Sequence, residues 1–236
     1  MHYFIFGIYP YIALSVLVIG SIARYERDPF TWKTSSSQLL RRRQLVVGSV
    51  LFHIGVLTIF IGHLFGLLTP LWLIEALGIS HEAKQILAIV VGGAGAAAAL
   101  IGGFMLLHRR LFDARIRATS STMDIIILSL LMFQLCLGTL SIFVSLQHIN
   151  GSEMVKFMEW AQAIFTLDPR AASYTVGVSW IFDLHIFTGL TIFTLFPFTR
   201  LVHLLSGLFV PFRYLFLRPG YQIVRTRKRA AKQAAE

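Results

Sequence analysis

The 236-residue chain is 56% hydrophobic and only 14% charged, with a mean hydropathy of +0.72, whereas a soluble globular protein carries about 25% charged residues. This composition excludes a soluble enzyme or binding module. The formal net charge of +10 does not point to nucleic acid either, because the basic residues cluster at the ends of apolar segments.

Five segments reach the roughly 20 apolar residues that a membrane-spanning helix needs. They lie at about 3–23, 45–69, 84–107, 123–146 and 176–208, and they predict an all-α integral membrane bundle. Residues 1–210 form the expected five-helix unit, and residues 211–236 a basic tail. The first segment follows Met1 with no basic n-region and no small-residue cleavage site, so it reads as a retained helix. The loop at 24–44 carries turn chemistry at Asp28-Pro29 and then a short amphipathic stretch. The second segment contains His53 and His63 and ends at Thr69-Pro70. The third opens at Lys84 and carries GGAGAAAALIGG at 92–103, a small-residue face that allows close helix packing or leaves room for a flat cofactor.

The fourth segment holds Cys136, the chain's single cysteine, which rules out an intrachain disulfide and a four-thiolate iron–sulfur site. The loop at 147–175 is the longest and suggests an interfacial helix around MVKFMEWAQAIF. The fifth segment contains His185, Pro197, Arg200 and His203. No internal repeat suggests inverted transporter halves.

All Lys and Arg except Lys84, Lys156 and Arg170 fall in three regions, at 24–43, 109–117 and 200–232. Basic loops stay on the cytoplasmic side, which places the N-terminus outside, the C-terminus inside and the protein in the cytoplasmic membrane. Five spans fit that odd parity.

Of the eight histidines, His2, His81, His108 and His148 fall at segment ends or in loops and read as hydrated surface side chains. His53, His63, His185 and His203 lie within spans, where ionisable groups are costly and usually functional. The second helix runs outward and the fifth inward, so His63 and His185 share an outer depth and His53 and His203 an inner one. Two facing imidazoles at each of two depths are what axial ligation of two stacked haems requires.

At about 1.5 Å per residue, His53 to His63 rises roughly 15 Å and His185 to His203 roughly 27 Å. Tilt, rotamers and a kink at Pro197 must absorb the mismatch, giving expected irons roughly 20 Å apart. Gly66, Gly189 and Gly207 each follow one of these histidines by one turn on the same face, where a missing side chain leaves space for a porphyrin edge.

Other readings of the quartet are weaker. Zinc wants its ligands in one coordination sphere, and a proton relay would use carboxylates, of which Asp124 and Asp183 are both near helix ends. Four unrelated histidines, each satisfied by a carbonyl, is the blandest alternative. Without C-x-x-C-H the haems are b-type. With both axial positions filled, they carry electrons and do not bind oxygen.

The ordered set IYPYIA (8–13), RY (24–25), TW (31–32), SSQ (36–38), FHIG (52–55), GHLFG (62–66), LTP (68–70), RRLF (109–112), RAT (117–119), GSEM (151–154), WAQ (160–162), LFPF (195–198) and RLVH (200–203) resembles the gamma subunit, a dihaem cytochrome b, of membrane-bound respiratory nitrate reductase. The resemblance covers nearly the whole chain. It implies a distal haem on His63 and His185 and a proximal haem on His53 and His203. It also implies quinol oxidation near the distal haem, and electron transfer inward to an iron–sulfur beta subunit and a molybdenum alpha subunit that reduces nitrate.

Lys84 matches a lysine used at the family's quinol site. Asp183 has no assigned role, though a carboxylate there could take a quinol proton. Arg200, alone or with Arg109 or Arg110, is the expected partner of a proximal propionate. Lipid could fill the basic inner grooves. The rivals are a dihaem anchor of another quinol-linked reductase, of heterodisulfide or sulfite type, and a haem-free membrane anchor or transporter.

Overall fold

The computed structural model describes residues 2–27 and 42–205. The expected amphipathic stretch in the 24–44 loop, Gly207 and the tail 211–236 lie outside the described residues. Those described are almost wholly helical, with no strand among them. The helices are α1 (Tyr9–Arg27), α2 (Arg42–Leu68), α3 (Leu71–Ala76), α4 (His81–Phe112), α5 (Ala114–Ala118), α6 (Thr122–Gln147), α7 (Ser152–Phe165) and α8 (Trp180–Leu195). Five helical stretches are long and apolar enough to cross a membrane: Phe4–Arg27, Arg42–Leu68, His81–Phe112, Thr122–Gln147 and Trp180–Phe198. The protein is a multi-pass membrane protein.

Packing runs α2 on α4, α4 on α6, α6 on α8 and α8 on α1. The small-residue face of α4 serves close packing. A Cβ on Gly55 would run into the backbone of Gly95 and Ala99, and one on Gly102 into the backbone of Gly48 and Phe52. Without those side chains the α2 and α4 backbones approach directly, as small residues permit where lipid offers no hydrophobic drive. By contrast, α2 and α8 do not pack closely on one another. They flank a cleft.

A proline shapes the start of the first span. Pro10 has no N–H to give to the carbonyl of Phe6, and the backbone there widens into a π turn over Phe4–Ile8. The indole of Trp160 on α7 donates to that Phe6 carbonyl at 2.9 Å. The helix expected in the 147–175 loop is therefore a packed cap over one end of the bundle. It buries Phe157, Met158, Trp160, Ala161, Ala163 and Ile164, and Gln162 donates to the carbonyls of Leu67 and Thr69. His2, expected to be hydrated, bonds the Ala172 carbonyl at 2.9 Å and lies against Phe6, because the loop folds back over the N-terminal turn.

The fifth segment departs most from expectation. It starts at Trp180 and its α-helix stops at Leu195, so a single helix over 176–208 does not form. Pro197 sits in a tight 3-10 turn at Phe196–Phe198, and Thr199 is extended (φ −117°, ψ 179°). The Thr199 hydroxyl accepts the Leu201 N–H at 3.2 Å, capping a second 3-10 turn, Arg200–Val202, that leads into His203.

Candidate functional site

His53 and His63 project from α2 at the cleft, and both are exposed in the protein alone. His185 projects from α8 and His203 follows the broken turn after it; both are half-buried. The structure brings them together in two pairs. The rings of His63 and His185 have centroids 6.1 Å apart with planes at 33°. Those of His53 and His203 are also 6.1 Å apart, with planes at 72°. The pairs that face are those of matching depth.

Hydrogen bonds fix three of the rings. His53 Nδ1 bonds the Ser49 carbonyl at 2.7 Å, His63 Nδ1 the Ile59 carbonyl at 2.8 Å and His203 Nδ1 the Arg200 carbonyl at 2.6 Å. A carbonyl only accepts, so each Nδ1 carries the proton and each Nε2 presents a lone pair. Because His53 and His63 use the same bond one turn back on one unbroken helix, their rings keep the roughly 15 Å rise of their backbones. The roughly 27 Å expected over 185–203 assumed a continuous helix; the break at 196–202 removes that premise and lets His203 meet His53.

The spacing has a chemical meaning. A five-membered ring with bonds of about 1.33 Å places its nitrogens about 1.1 Å from its centre. A first-row metal sits about 2.0–2.1 Å from an imidazole nitrogen. Two imidazoles on opposite sides of one metal then have centres about 6.3 Å apart, against about 5.2 Å at a tetrahedral angle. The observed 6.1 Å fits opposed ligation. Among the described residues, no group of three or more His, Cys, Asp or Glu gathers. Each pair can therefore supply two axial ligands to a group that brings its own equatorial ones. Space for such a group is present, since a Cβ added at Gly62 or Gly66 meets nothing within 4 Å.

Lys84 reaches the outer pair's end of the cleft. Its ammonium donates to the Gly66 carbonyl at 2.9 Å and lies 3.1 Å from the sulfur of Met158. An ammonium has three donors, so one remains for a ligand. Asp183 keeps a buried Oδ1 with no hydrogen-bond partner.

At the inner end, Arg200 and Arg110 flank Asp124, at 3.6 Å and 3.3 Å, and Arg109 is buried. Asp124 also completes a capping box with Ser121 at the start of α6. The sequence places Asp124 near a helix end but does not show it lying between the two arginines. Its signal was the S-x-x-D pattern Ser121–Asp124 opening an apolar run. Sequence reasoning missed Gln134 on α6, which lies 3.3 Å from the His185 ring; a lone glutamine in an apolar span gave the only cue.

Comparison with known proteins agrees with this architecture. Residues 2–227 match the family described as nitrate reductase gamma subunit. The chain is 49% identical to the respiratory nitrate reductase 1 gamma chain of Escherichia coli (strain K12), over 96% of this chain and 98% of that one. It is 49% identical to the respiratory nitrate reductase 2 gamma chain of the same organism, over 97% and 98%. It is also 39% identical to the nitrate reductase gamma chain of Bacillus subtilis (strain 168), over 89% and 93%. The chain belongs to the nitrate reductase gamma subunit family and is a membrane subunit of that oxidoreductase complex.

Proposed function

We propose that this subunit oxidises quinol near the outer face of the membrane and conducts the electrons inward through two b-type haems. His63 and His185 hold the distal haem, and His53 and His203 the proximal one. The observation that carries this reading is the repeated 6.1 Å separation of opposed imidazoles on membrane-spanning elements. Two such haems, each held by a pair of these histidines, would supply one-electron carriers rather than a site for substrate. The ring planes, at 33° in one pair and 72° in the other, make the two centres inequivalent.

The residues around the outer pair divide the work on quinol. Lys84, held by Gly66 and Met158, donates its remaining N–H to a quinol oxygen. Asp183, with its buried oxygen, is placed to take a proton as the quinol loses two electrons and two protons. The outer location follows from the basic regions, which stay cytoplasmic: Arg24, Arg109, Arg110 and Arg200 all lie at the inner pair's end of the chain's spans. Protons then leave outside while electrons pass inward to an iron–sulfur beta subunit and a molybdenum alpha subunit, where nitrate is reduced.

Pyridine haemochrome stoichiometry in the purified complex tests this. The wild type is expected to hold two b haems per chain, and His53→Ala and His63→Ala one each. A folded, haem-supplied wild type without haem would end the reading. Co-purification with a purely iron–sulfur partner lacking molybdenum would reassign the terminal reductase.

A further inference from the structure

The C-terminal end of α2 is short of donors. The last carbonyls of a helix have no intrahelical partners, and here Pro70, four residues after Gly66, has no N–H to return to the Gly66 carbonyl. Side chains from two other helices take these oxygens. Lys84 of α4 donates to the Gly66 carbonyl at 2.9 Å. The carboxamide of Gln162 on α7 donates to the carbonyls of Leu67 at 3.2 Å and Thr69 at 3.1 Å, which uses both of its hydrogens.

The position of Lys84 makes this division consequential. It is the fourth residue of α4, after the Ser80 cap, where the helix dipole disfavours a cation; the end of α2 favours one. Its ammonium has three N–H groups. Gly66 takes one, and the sulfur of Met158 stands 3.1 Å away as a weak acceptor for a second. Met158 and Gln162 are four residues apart and so share one face of α7. Met158 is wholly buried. The helix that carries both is itself anchored, because Trp160 donates to the Phe6 carbonyl at 2.9 Å and the Phe157 ring lies 4.9 Å from that of Phe182 on α8.

We propose that Gln162 and Met158 are positioning residues of the quinol site. Gln162 holds the end of α2 that anchors the Lys84 ammonium, and Met158 engages a second of its N–H groups, so the third is left for a quinol oxygen. Neither residue touches quinol; both act through Lys84. This rests on the reading of Lys84 given above. Without Gln162, the Leu67 and Thr69 carbonyls become two further acceptors at the helix end that draws the ammonium, in competition with the ligand.

The test is a double-mutant cycle on the intact complex that reads KM and kcat for quinol separately. Gln162→Leu and Met158→Leu are each made alone and together with Lys84→Ala, with haem stoichiometry measured alongside. KM should rise about 2- to 10-fold in Gln162→Leu, the range a net hydrogen bond supplies. It should rise about 2- to 3-fold in Met158→Leu, which keeps the volume and removes only a weak acceptor. In both, kcat and haem content should stay close to wild type. In the Lys84→Ala background both effects should vanish, because residues that act through one group are not additive. A purely structural role would add to the Lys84→Ala effect.

If Gln162→Leu fails to accumulate, the volume-conserving Met158→Leu decides alone. Wild-type KM in either variant, a loss confined to kcat, or effects that multiply with that of Lys84→Ala would overturn the proposal. Wild-type quinol kinetics in Lys84→Ala alone would refute the underlying reading instead.

Discussion

Arg24, in the last turn of α1, donates from one guanidinium nitrogen to the carbonyls of Pro197 and Thr199, at 2.6 and 2.7 Å. Both carbonyls belong to the turns that break the fifth segment. One turn earlier on α1, Gly20 faces the Pro197 ring; a Cβ there would stand 2.9 Å from Pro197 Cγ. The first helix therefore holds open the break that lets His203 reach His53.

Replacing Arg24 with leucine removes two charge-assisted hydrogen bonds from these turns, at about 1.5–3 kcal/mol each. Because the break positions His203 and not His185, the expected outcome is selective: the proximal haem is lost or its midpoint shifts, while the distal haem stays. Haemochrome stoichiometry and a redox titration read this directly. Retention of both centres with wild-type midpoints would show that the break holds without Arg24.

Lys84→Ala removes the ammonium from the outer end of the cleft while touching neither ring pair. A hydrogen bond to a charged group contributes about 1.5–3 kcal/mol, so kcat/KM for quinol should fall roughly 10- to 100-fold. Haem content should be unchanged, and re-reduction by dithionite should be normal. A variant with wild-type quinol kinetics would leave Lys84 the purely structural role that its contacts with Gly66 and Met158 already provide.

Much of this arrangement is legible in the residues. The spans follow from hydropathy, and the helix directions they impose are enough to pair His63 with His185 and His53 with His203. The break in the fifth segment was not legible, because Pro197 predicts a kink and the extended turn at Thr199 depends on Arg24 from a helix far away in sequence. The choice between the two readings of the α4 glycines needed the structure as well, since a glycine stripe has the same sequence whether it meets a backbone or a flat ligand. Gln134 stayed hidden for a related reason. One amide in an apolar helix carries no period or motif, and its meaning comes from the His185 atom it faces.

The glycines themselves offer a contrast that separates packing from space. Gly55→Leu and Gly102→Leu each drive a side chain into the facing backbone of α4 or α2; overpacking typically costs about 1–3 kcal/mol, and backbone neighbours yield less readily than side chains. Gly92→Leu, where an added Cβ meets nothing within 4 Å, should leave stability near wild type. Thermal melts of the detergent-solubilised complex should show a lowered midpoint in the first two and little change in the third. Equal melting of all three would mean that the α2–α4 contact is looser than its geometry indicates.

Arg200 presents the sharpest choice, because its guanidinium already has a carboxylate beside it. Asp124 stands between Arg200 and Arg110, at 3.6 and 3.3 Å, so an effect of Arg200 on the proximal centre could act through a haem propionate or through the start of α6. Two substitutions separate these routes. If Arg200 pairs with a propionate, Arg200→Leu loosens or shifts the proximal haem alone, while Asp124 keeps Arg110 and its capping box with Ser121. Asp124→Asn in that case keeps a neutral cap on α6 and leaves the proximal midpoint nearly unmoved. If the route runs through α6, the two variants share one phenotype, a destabilised helix start with a small shift at both centres. Titrating both haems in both variants decides it, and an unaltered proximal centre in Arg200→Leu removes the propionate assignment altogether.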